Sequence, residues 1–185
     1  MPRMSAPRQA HARPATTEYA PHYDTYISLV TSDDILGALE SQRLQTAQLL
    51  APRSERDGNF RYAPGKWSVK EIVGHLSDAE RIFSYRALRI ARGDSTPLPG
   101  FEQDDYIRGG NFADRSLADL SEEFAAVRAA TLALFGSLAD QAWARRGKAS
   151  NSEVSVRALA YIIAGHELHH RRILFERYFP AIPRA

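Results

Sequence analysis

Three histidines occupy positions where helices would turn them toward a common interior. His166 and His170 are four residues apart, in a run whose apolar residues recur at alternating steps of three and four. That spacing is typical of a helix with one buried face. Residues four apart lie one turn apart on the same face, with Cβ atoms about 5–6 Å apart. Two imidazoles so placed can direct their nitrogens at one metal ion about 2.0–2.1 Å away.

His75 offers a third nitrogen from a second helix. It follows Ile72 by three residues and precedes Ala79 by four, so it also lies on an apolar stripe. Metal sites in helical bundles are built from side chains on facing helices. Three neutral imidazoles in one apolar core would each need partners for two ring nitrogens, and a divalent metal ion satisfies one nitrogen of each. We therefore predict a metal site formed by His75, His166 and His170.

Other interpretations of these histidines stay open at this point. A single histidine on an apolar face is often a hydrogen-bonded core residue, and an H-x-x-x-H pair is also common on exposed helices. Residues 166–170 match the H-E-x-x-H sequence of zinc proteases, but the third histidine lies upstream on another helix and none follows downstream. We expect His169 and Glu167 to point away from the metal, with Glu167 solvated.

Further side chains near these histidines carry weaker signals. Asp78 could accept a hydrogen bond from an imidazole, although a surface charge is an equal alternative. Trp67 is expected to be a hydrophobic contact at the start of its helix. Four aromatic and basic residues at helical spacing are expected to form a solvated face, with anion or partner binding as the alternative: Arg81, Tyr85, Arg86 and Arg89.

Four amphipathic helices are predicted to position these residues. Their expected bounds are about 32–50, 68–92, 117–138 and 155–178, and the second opens with the capping box Ser68–Glu71. No convincing sheet is visible, and residues 26–30 are expected to be an extended lead-in. The pattern predicts an all-α four-helix bundle over residues 24–180, preceded by a flexible N-terminal tail, residues 1–23. The long loop 93–114 is a candidate wall or lid of the site.

The composition is that of one globular domain and excludes several functional classes. The chain has 185 residues, of which 44% are hydrophobic and 25% charged, and its net charge is only +2. Because basic and acidic residues are interleaved, we expect no nucleic-acid partner. No run approaches the roughly 18 apolar residues of a membrane helix, so we expect no membrane partner and a cytoplasmic location. Cysteine is absent, so any reacting thiol must come from a substrate.

The segments around the three histidines resemble a known family. Residues 61–76, RYAPGKWSVKEIVGHL, and residues 164–170, AGHELHH, are similar to the DinB-like (DinB/YfiT) superfamily of metalloenzymes. The similarity extends from about Tyr23 to Phe179. It implies a four-helix bundle with a long crossover loop, often a homodimer, that holds a divalent metal ion such as nickel or zinc. The implied ligands are His75, His166 and His170.

The resemblance also implies an activity. Characterised relatives include thiol S-transferases and a thiol-dependent isomerase, which use bacterial low-molecular-weight thiols such as bacillithiol. By this resemblance the chain is a metal-dependent transferase that acts on a small-molecule substrate with a bacillithiol-like thiol as cosubstrate. Two alternatives stay open: a metal-dependent hydrolase that uses bound hydroxide, and a non-enzymatic metal-binding stress-response bundle that acts through a partner.

Overall fold

The structure, a computed structural model, describes residues 11–182. The N-terminal tail predicted for residues 1–23 therefore lies partly outside the described residues. The described elements are helices α1 (Asp24–Ile27), α2 (Ile35–Leu50), α3 (Glu55–Gly58), α4 (Val69–Ala91), α5 (Gln103–Gly109), α6 (Leu117–Gly136), α7 (Asp140–Trp143) and α8 (Val156–Ile173), and strands β1 (Arg146–Ala149) and β2 (Ser152–Ser155). A single π-helical segment, Leu174–Tyr178, extends α8.

The four long helices begin where the sequence predicts. Each starts after a residue whose side-chain oxygen accepts a hydrogen bond from a backbone N–H of the first turn: Asp34, Ser68, Ser116 and Ser155. The capping box Ser68–Glu71 is formed at the start of α4. These local bonds set the helix starts independently of the tertiary packing.

The helices form a four-helix bundle, which confirms the predicted fold class. Helix α2 packs against α6 and α8, and α4 packs against the same two helices. Consequently α2 and α4 lie across the bundle from each other although they follow one another in the chain. The crossover from α4 to α6 contains α5 and a 3-10 turn, Phe112–Asp114.

The expectation that residues 26–30 form an extended segment before the bundle is wrong. The chain there makes the helical turn α1, in which Ser28 N–H donates to Asp24 O at 3.0 Å and Leu29 N–H to Tyr26 O at 3.0 Å. A lone strand would have no neighbour to pair these backbone groups, and a helical turn pairs them internally. Helix α1 packs against α8.

A small β-hairpin joins α7 to α8 and was not expected from the sequence. Strands β1 and β2 are antiparallel and connected by Ser150 and Asn151, whose φ angles are 49° and 64°. Two successive positive φ angles suit a tight hairpin turn, because they match the twist of the paired strands. Leu98 N–H donates to Lys148 O at 2.8 Å, so the hairpin is also hydrogen-bonded to the crossover between α4 and α6.

The apolar core consists of two clusters that meet at the histidines. Along α4, Ile72 and Leu76 belong to one cluster, whereas Ala79 and Phe83 belong to the other. His75 lies at their junction. In the part of the chain that the structure describes, no helix is long and apolar enough to cross a membrane.

Candidate metal centre

The structure brings His75, His166 and His170 together between α4 and α8. The Nε2 atom of His166 lies 3.0 Å from Nε2 of His75 and 3.2 Å from Nε2 of His170. One potential ligand atom of each residue lies within 4.8 Å of the others. The cluster forms because α4 and α8 are neighbours and each turns its apolar stripe inward.

The three imidazoles are held in their neutral form. Burial lowers the pKa of His75 to about 4, although the Asp104 carboxylate acts in the opposite direction. Burial also lowers the pKa of His166 and of His170 well below the ordinary value, and the neighbouring histidines add to this effect. Neutral imidazoles keep a lone pair on one ring nitrogen, which is the form that binds metal ions.

Aromatic rings surround the histidines and limit contact with water. The edge of Tyr26 meets the His166 ring at 5.2 Å between centroids, and Phe83 lies 6.1 Å from the same ring. Trp67 lies 4.8 Å from His75 and stacks over His170 at 6.4 Å. Trp67, expected only as a hydrophobic contact, therefore covers two of the three histidines.

Two cavities reach the cluster. One, of about 380 Å³, is lined by His75 and His166, and the other, of about 310 Å³, is lined by His170. The crossover loop contributes residues 100–103 to the first and Asp104 to the second. Asp104 Oδ1 accepts a hydrogen bond from Trp67 Nε1 at 3.2 Å. Residues 100–104 of the 93–114 loop thus form a wall of both cavities.

The expectation of a solvated Glu167 is wrong. Its side chain points away from the histidine cluster, as expected, but it is 1% exposed and pairs with Arg128 at 2.7 Å. Thr46 donates a hydrogen bond to the same carboxylate. The reason is that α8 is packed on more than one side, so the face opposite α4 is also buried. Glu167 is therefore engaged elsewhere and does not serve as the base of a protease-type H-E-x-x-H site.

His169 and Asp78 lie near the cluster without joining it. His169 faces Tyr26, at 5.3 Å between ring centroids, and its Nδ1 has no hydrogen-bond partner among the described residues. Asp78 pairs with Arg81 at 3.4 Å. Burial raises the pKa of Asp78, and Arg81 opposes that effect. Asp78 is therefore paired to a cation and not to an imidazole.

The predicted solvated face on α4 is wrong at Arg86. Arg81 and Tyr85 are exposed, but Arg86 is only 2% exposed and lines the larger cavity. Arg86 follows His75 by eleven residues, which is close to three full helical turns. It therefore faces the same side of α4 as His75.

Sequence reasoning did not assign Phe83, Tyr26 or Asp104 to the site, and it assigned Arg86 to a solvated face with anion binding only as the alternative. Phe83 follows His75 by eight residues and Arg86 by eleven, so extending the apolar stripe of His75 would have found both. Tyr26 and Asp104 had no such signal, because they reach the site from α1 and from the crossover. Only packing places those two segments beside α4 and α8.

Comparisons with known proteins agree with this architecture. The family model described as the DinB superfamily matches residues 38–174. The structure is similar to YfiT from Bacillus subtilis, described as a probable metal-dependent hydrolase with an unusual four-helix bundle topology. The match has a TM-score of 0.69 and 16% identity, and it covers 86% of this chain and 91% of that one. No curated protein matches the sequence. With the family model spanning most of the chain and the bundle in place, the chain belongs to the DinB superfamily.

Proposed function

We propose that His75, His166 and His170 hold one divalent metal ion and that the protein is a metal-dependent enzyme. The observation that carries this proposal is the convergence of three neutral Nε2 atoms, from the buried His75 and His166 and the half-buried His170. His166 Nε2 lies within hydrogen-bond distance of two others, yet a neutral ring nitrogen is either one donor or one acceptor. A cation satisfies all three lone pairs at once.

The donor set and its spacing fit such an ion. Two nitrogens that share a tetrahedral zinc ion lie about 3.3 Å apart, and the separations at His166 are 3.0 and 3.2 Å. Imidazole nitrogen suits zinc and nickel alike, so these two metals are our first candidates. When bound, such an ion lowers the pKa of a thiol or water and supplies a nucleophile at neutral pH.

We test the metal site by elemental mass spectrometry of untagged protein. After incubation with nickel or zinc and removal of excess metal, we expect about one ion per chain in the wild type and loss of the ion in His170→Ala. His169→Ala is the matched control, because it removes the adjacent imidazole, which lies outside the cluster; it should keep the ion. A wild type that holds no metal would refute the proposal.

For the reaction, we propose activation of a low-molecular-weight thiol for S-transfer to a small-molecule substrate. The chain contains no cysteine, so the sulfur must come from a cosubstrate such as a bacillithiol-like thiol. The cavities of about 380 and 310 Å³ lie at the small end of the range for ligand pockets. Trp67, Phe83 and Tyr26 surround the cluster and limit the access of water, which would compete with a thiol for the metal ion.

Hydrolysis is the second candidate, because YfiT is described as a probable metal-dependent hydrolase. Cobalt-substituted protein separates the two. For S-transfer we expect 2-mercaptoethanol to produce a sulfur-to-cobalt charge-transfer band that His170→Ala lacks. If thiols leave the spectrum unchanged while a nitrophenyl ester is hydrolysed, the hydrolase is correct. If neither occurs, the result favours the non-enzymatic bundle that acts through a partner.

We also propose that the protein is a homodimer, as the family resemblance implies, and we keep the sequence-based expectation that it is cytoplasmic. Sedimentation equilibrium should give about twice the chain mass of 20.7 kDa. A mass equal to that of one chain over the micromolar range would contradict the dimer and leave the metal site unaffected.

A further inference from the structure

Arg86 is a buried cation in the cavity beside the histidines. The cavity of about 380 Å³ is lined by Arg86 at one point and by His75 and His166 at another. Arg86 is 2% exposed, and Phe83 lies between it and His75 on the same face of α4, with its ring 5.7 Å from the guanidinium carbon. A molecule in this cavity can therefore reach Arg86 and the histidine cluster together.

The charge of Arg86 has no acidic partner among the residues that the structure describes. Its Nη2 donates to Pro99 O at 2.7 Å and to Ser150 Oγ at 2.9 Å, both of which are neutral acceptors. Across residues 11–182 the guanidinium forms no ion pair with a carboxylate, and its hydrogen bonds to the protein are through Nη2 alone. Neither Nε nor Nη1 is among the fully buried polar atoms without a partner, so neither is sealed off from solvent. The one acidic residue that lines the cavity, Glu102, is exposed.

Among the described residues a second buried arginine, Arg128, shows what this chain provides when an arginine is purely structural. Arg128 is 0% exposed and pairs with Glu80 and Glu167, each at 2.7 Å. A buried cation without a counter-ion destabilises the folded protein, because no Coulombic attraction offsets the free energy of desolvating it. An anion that enters the cavity would supply this missing attraction at Arg86. Guanidinium donors match the geometry of a carboxylate especially well.

We propose that Arg86 binds a carboxylate of the substrate while the reacting group of the same molecule lies at His75 and His166. This inference rests on the proposed function and narrows its substrate class to elongated small carboxylic acids. The Phe83 ring lies 5.7 Å from the Arg86 guanidinium carbon and 6.1 Å from the His166 ring, and Arg86 and His166 both line the cavity. Because Phe83 separates the two groups, we expect a chain of several atoms between the acid and the reacting group.

The test compares ω-mercaptocarboxylates with ω-mercaptoalcohols of equal length on cobalt-loaded protein. Chain lengths from three to eight carbons are titrated, and binding is followed by the thiolate–cobalt absorption. At the best length we expect the wild type to prefer the acid by about 10- to 100-fold, as for a hydrogen bond to a charged group. In Arg86→Gln the preference for the acid should vanish while the affinity for the alcohol stays unchanged. Arg86→Lys should keep part of the preference for the acid.

Arg89→Gln is the matched control. It removes a charge one turn further along α4, where Arg89 pairs with Asp94 outside the cavity, and it should keep the full preference for the acid. If Arg86 merely ties the crossover to the hairpin, Arg86→Gln weakens acid and alcohol equally. That result, or a wild type without preference at any length, would overturn the inference.

A metal-free arm separates this inference from the proposed metal chemistry. Calorimetry on metal-free protein compares hexanoate and octanoate with the corresponding alcohols, which need no metal to bind. Preference for the acids that is lost in Arg86→Gln supports the Arg86 site even if the metal proposal fails. A protein that loads metal but shows no preference in either arm refutes the Arg86 site alone.

Discussion

Glu167 follows His166 in the chain, yet its side chain belongs to a different site. Its carboxylate meets Arg128 of α6 at 2.7 Å, and Arg128 also pairs with Glu80 of α4. Gln42 of α2 accepts from Arg128 Nη1 at 3.2 Å, and Thr46 donates to Glu167. All four long helices therefore join in one buried polar network. Burial raises the pKa of Glu167, and Arg128 opposes that effect.

At this residue scale, Arg128→Met should destabilise the protein strongly. The substitution leaves two buried carboxylates without their cation, and breaking such a network costs about 3–5 kcal/mol. Urea unfolding followed by circular dichroism measures the change in the free energy of unfolding. Arg81→Met, which breaks half-exposed pairs with Asp78 and Glu123, should cost at most about 1 kcal/mol. Equal effects of the two substitutions would contradict this account.

The same network gives a second residue-scale expectation. Adding Glu80→Gln and Glu167→Gln to Arg128→Met removes the two unpaired charges, so most of the lost stability should return. The triple variant and Arg128→Met are compared by urea unfolding. A triple variant that is less stable than Arg128→Met would show that the loss came from packing and not from charge.

At the scale of elements, α1 reaches the site through a close approach to α8. A Cβ atom on Gly165 would lie 2.1 Å from the backbone oxygen of Tyr26, so only glycine allows this contact. The approach places Tyr26 against both His166 and His169. The residue before the first histidine of α8 therefore determines how closely α1 covers the cluster.

Gly165→Ala should lower the free energy of unfolding by about 1–3 kcal/mol or more, because a backbone atom must move. The control is Gly136→Ala at the end of α6, where an added Cβ would meet nothing within 4 Å. That change should be neutral or stabilising by up to about 1 kcal/mol. Thermal unfolding of the two variants measures both effects. If Gly165→Ala is as stable as the wild type, the close approach of α1 to α8 is wrong.

An ion pair links the segment before α1 to α8. Glu18 is 2% exposed and pairs with Arg157. Burial alone would raise the pKa of Glu18, but hydrogen bonds from Arg157 and from the Ala15 backbone lower it from 4.5 to about 2. A lowered pKa in the folded state means that ionised Glu18 stabilises the protein above the unfolded pKa.

The stabilisation by Glu18 should therefore be full above about pH 5 and be lost as the pH falls from 4.5 toward 2. We expect Glu18→Gln to be less stable than the wild type at pH 7, with the difference shrinking across that window. Urea unfolding at a series of pH values measures it. A difference that does not change with pH would show that Glu18 contributes by packing and not by charge.

At the scale of the whole molecule, the histidine cluster joins α4 to α8 where the two apolar clusters meet. An ion bound only to the folded protein at 100 times its dissociation constant adds about 2.7 kcal/mol to stability. For a domain of this size that corresponds to a rise of about 5–10 °C in Tm. Scanning calorimetry with and without zinc should show this rise in the wild type and not in His170→Ala. An equal rise in both proteins would place the bound ion elsewhere.

Features that depend on a single helix can be predicted from the sequence alone. Helix starts follow from local capping at Ser68 and Ser155, and the common face of His166 and His170 follows from the helical repeat. His75 was identified in the same way on its own helix. These properties need only neighbouring residues, so the four helices, the bundle and the three histidines could be predicted without the tertiary structure.

Whether a helix buries a further face besides its apolar stripe can be seen only in the tertiary structure. Helix α8 packs against more than one neighbour, so Glu167 lies inside although a one-sided pattern predicts it solvated. Tyr26 and Asp104 reach the histidines from segments without helical periodicity of their own. The physical reason is that burial of a side face depends on which distant element covers it, and helical periodicity carries no information about that element.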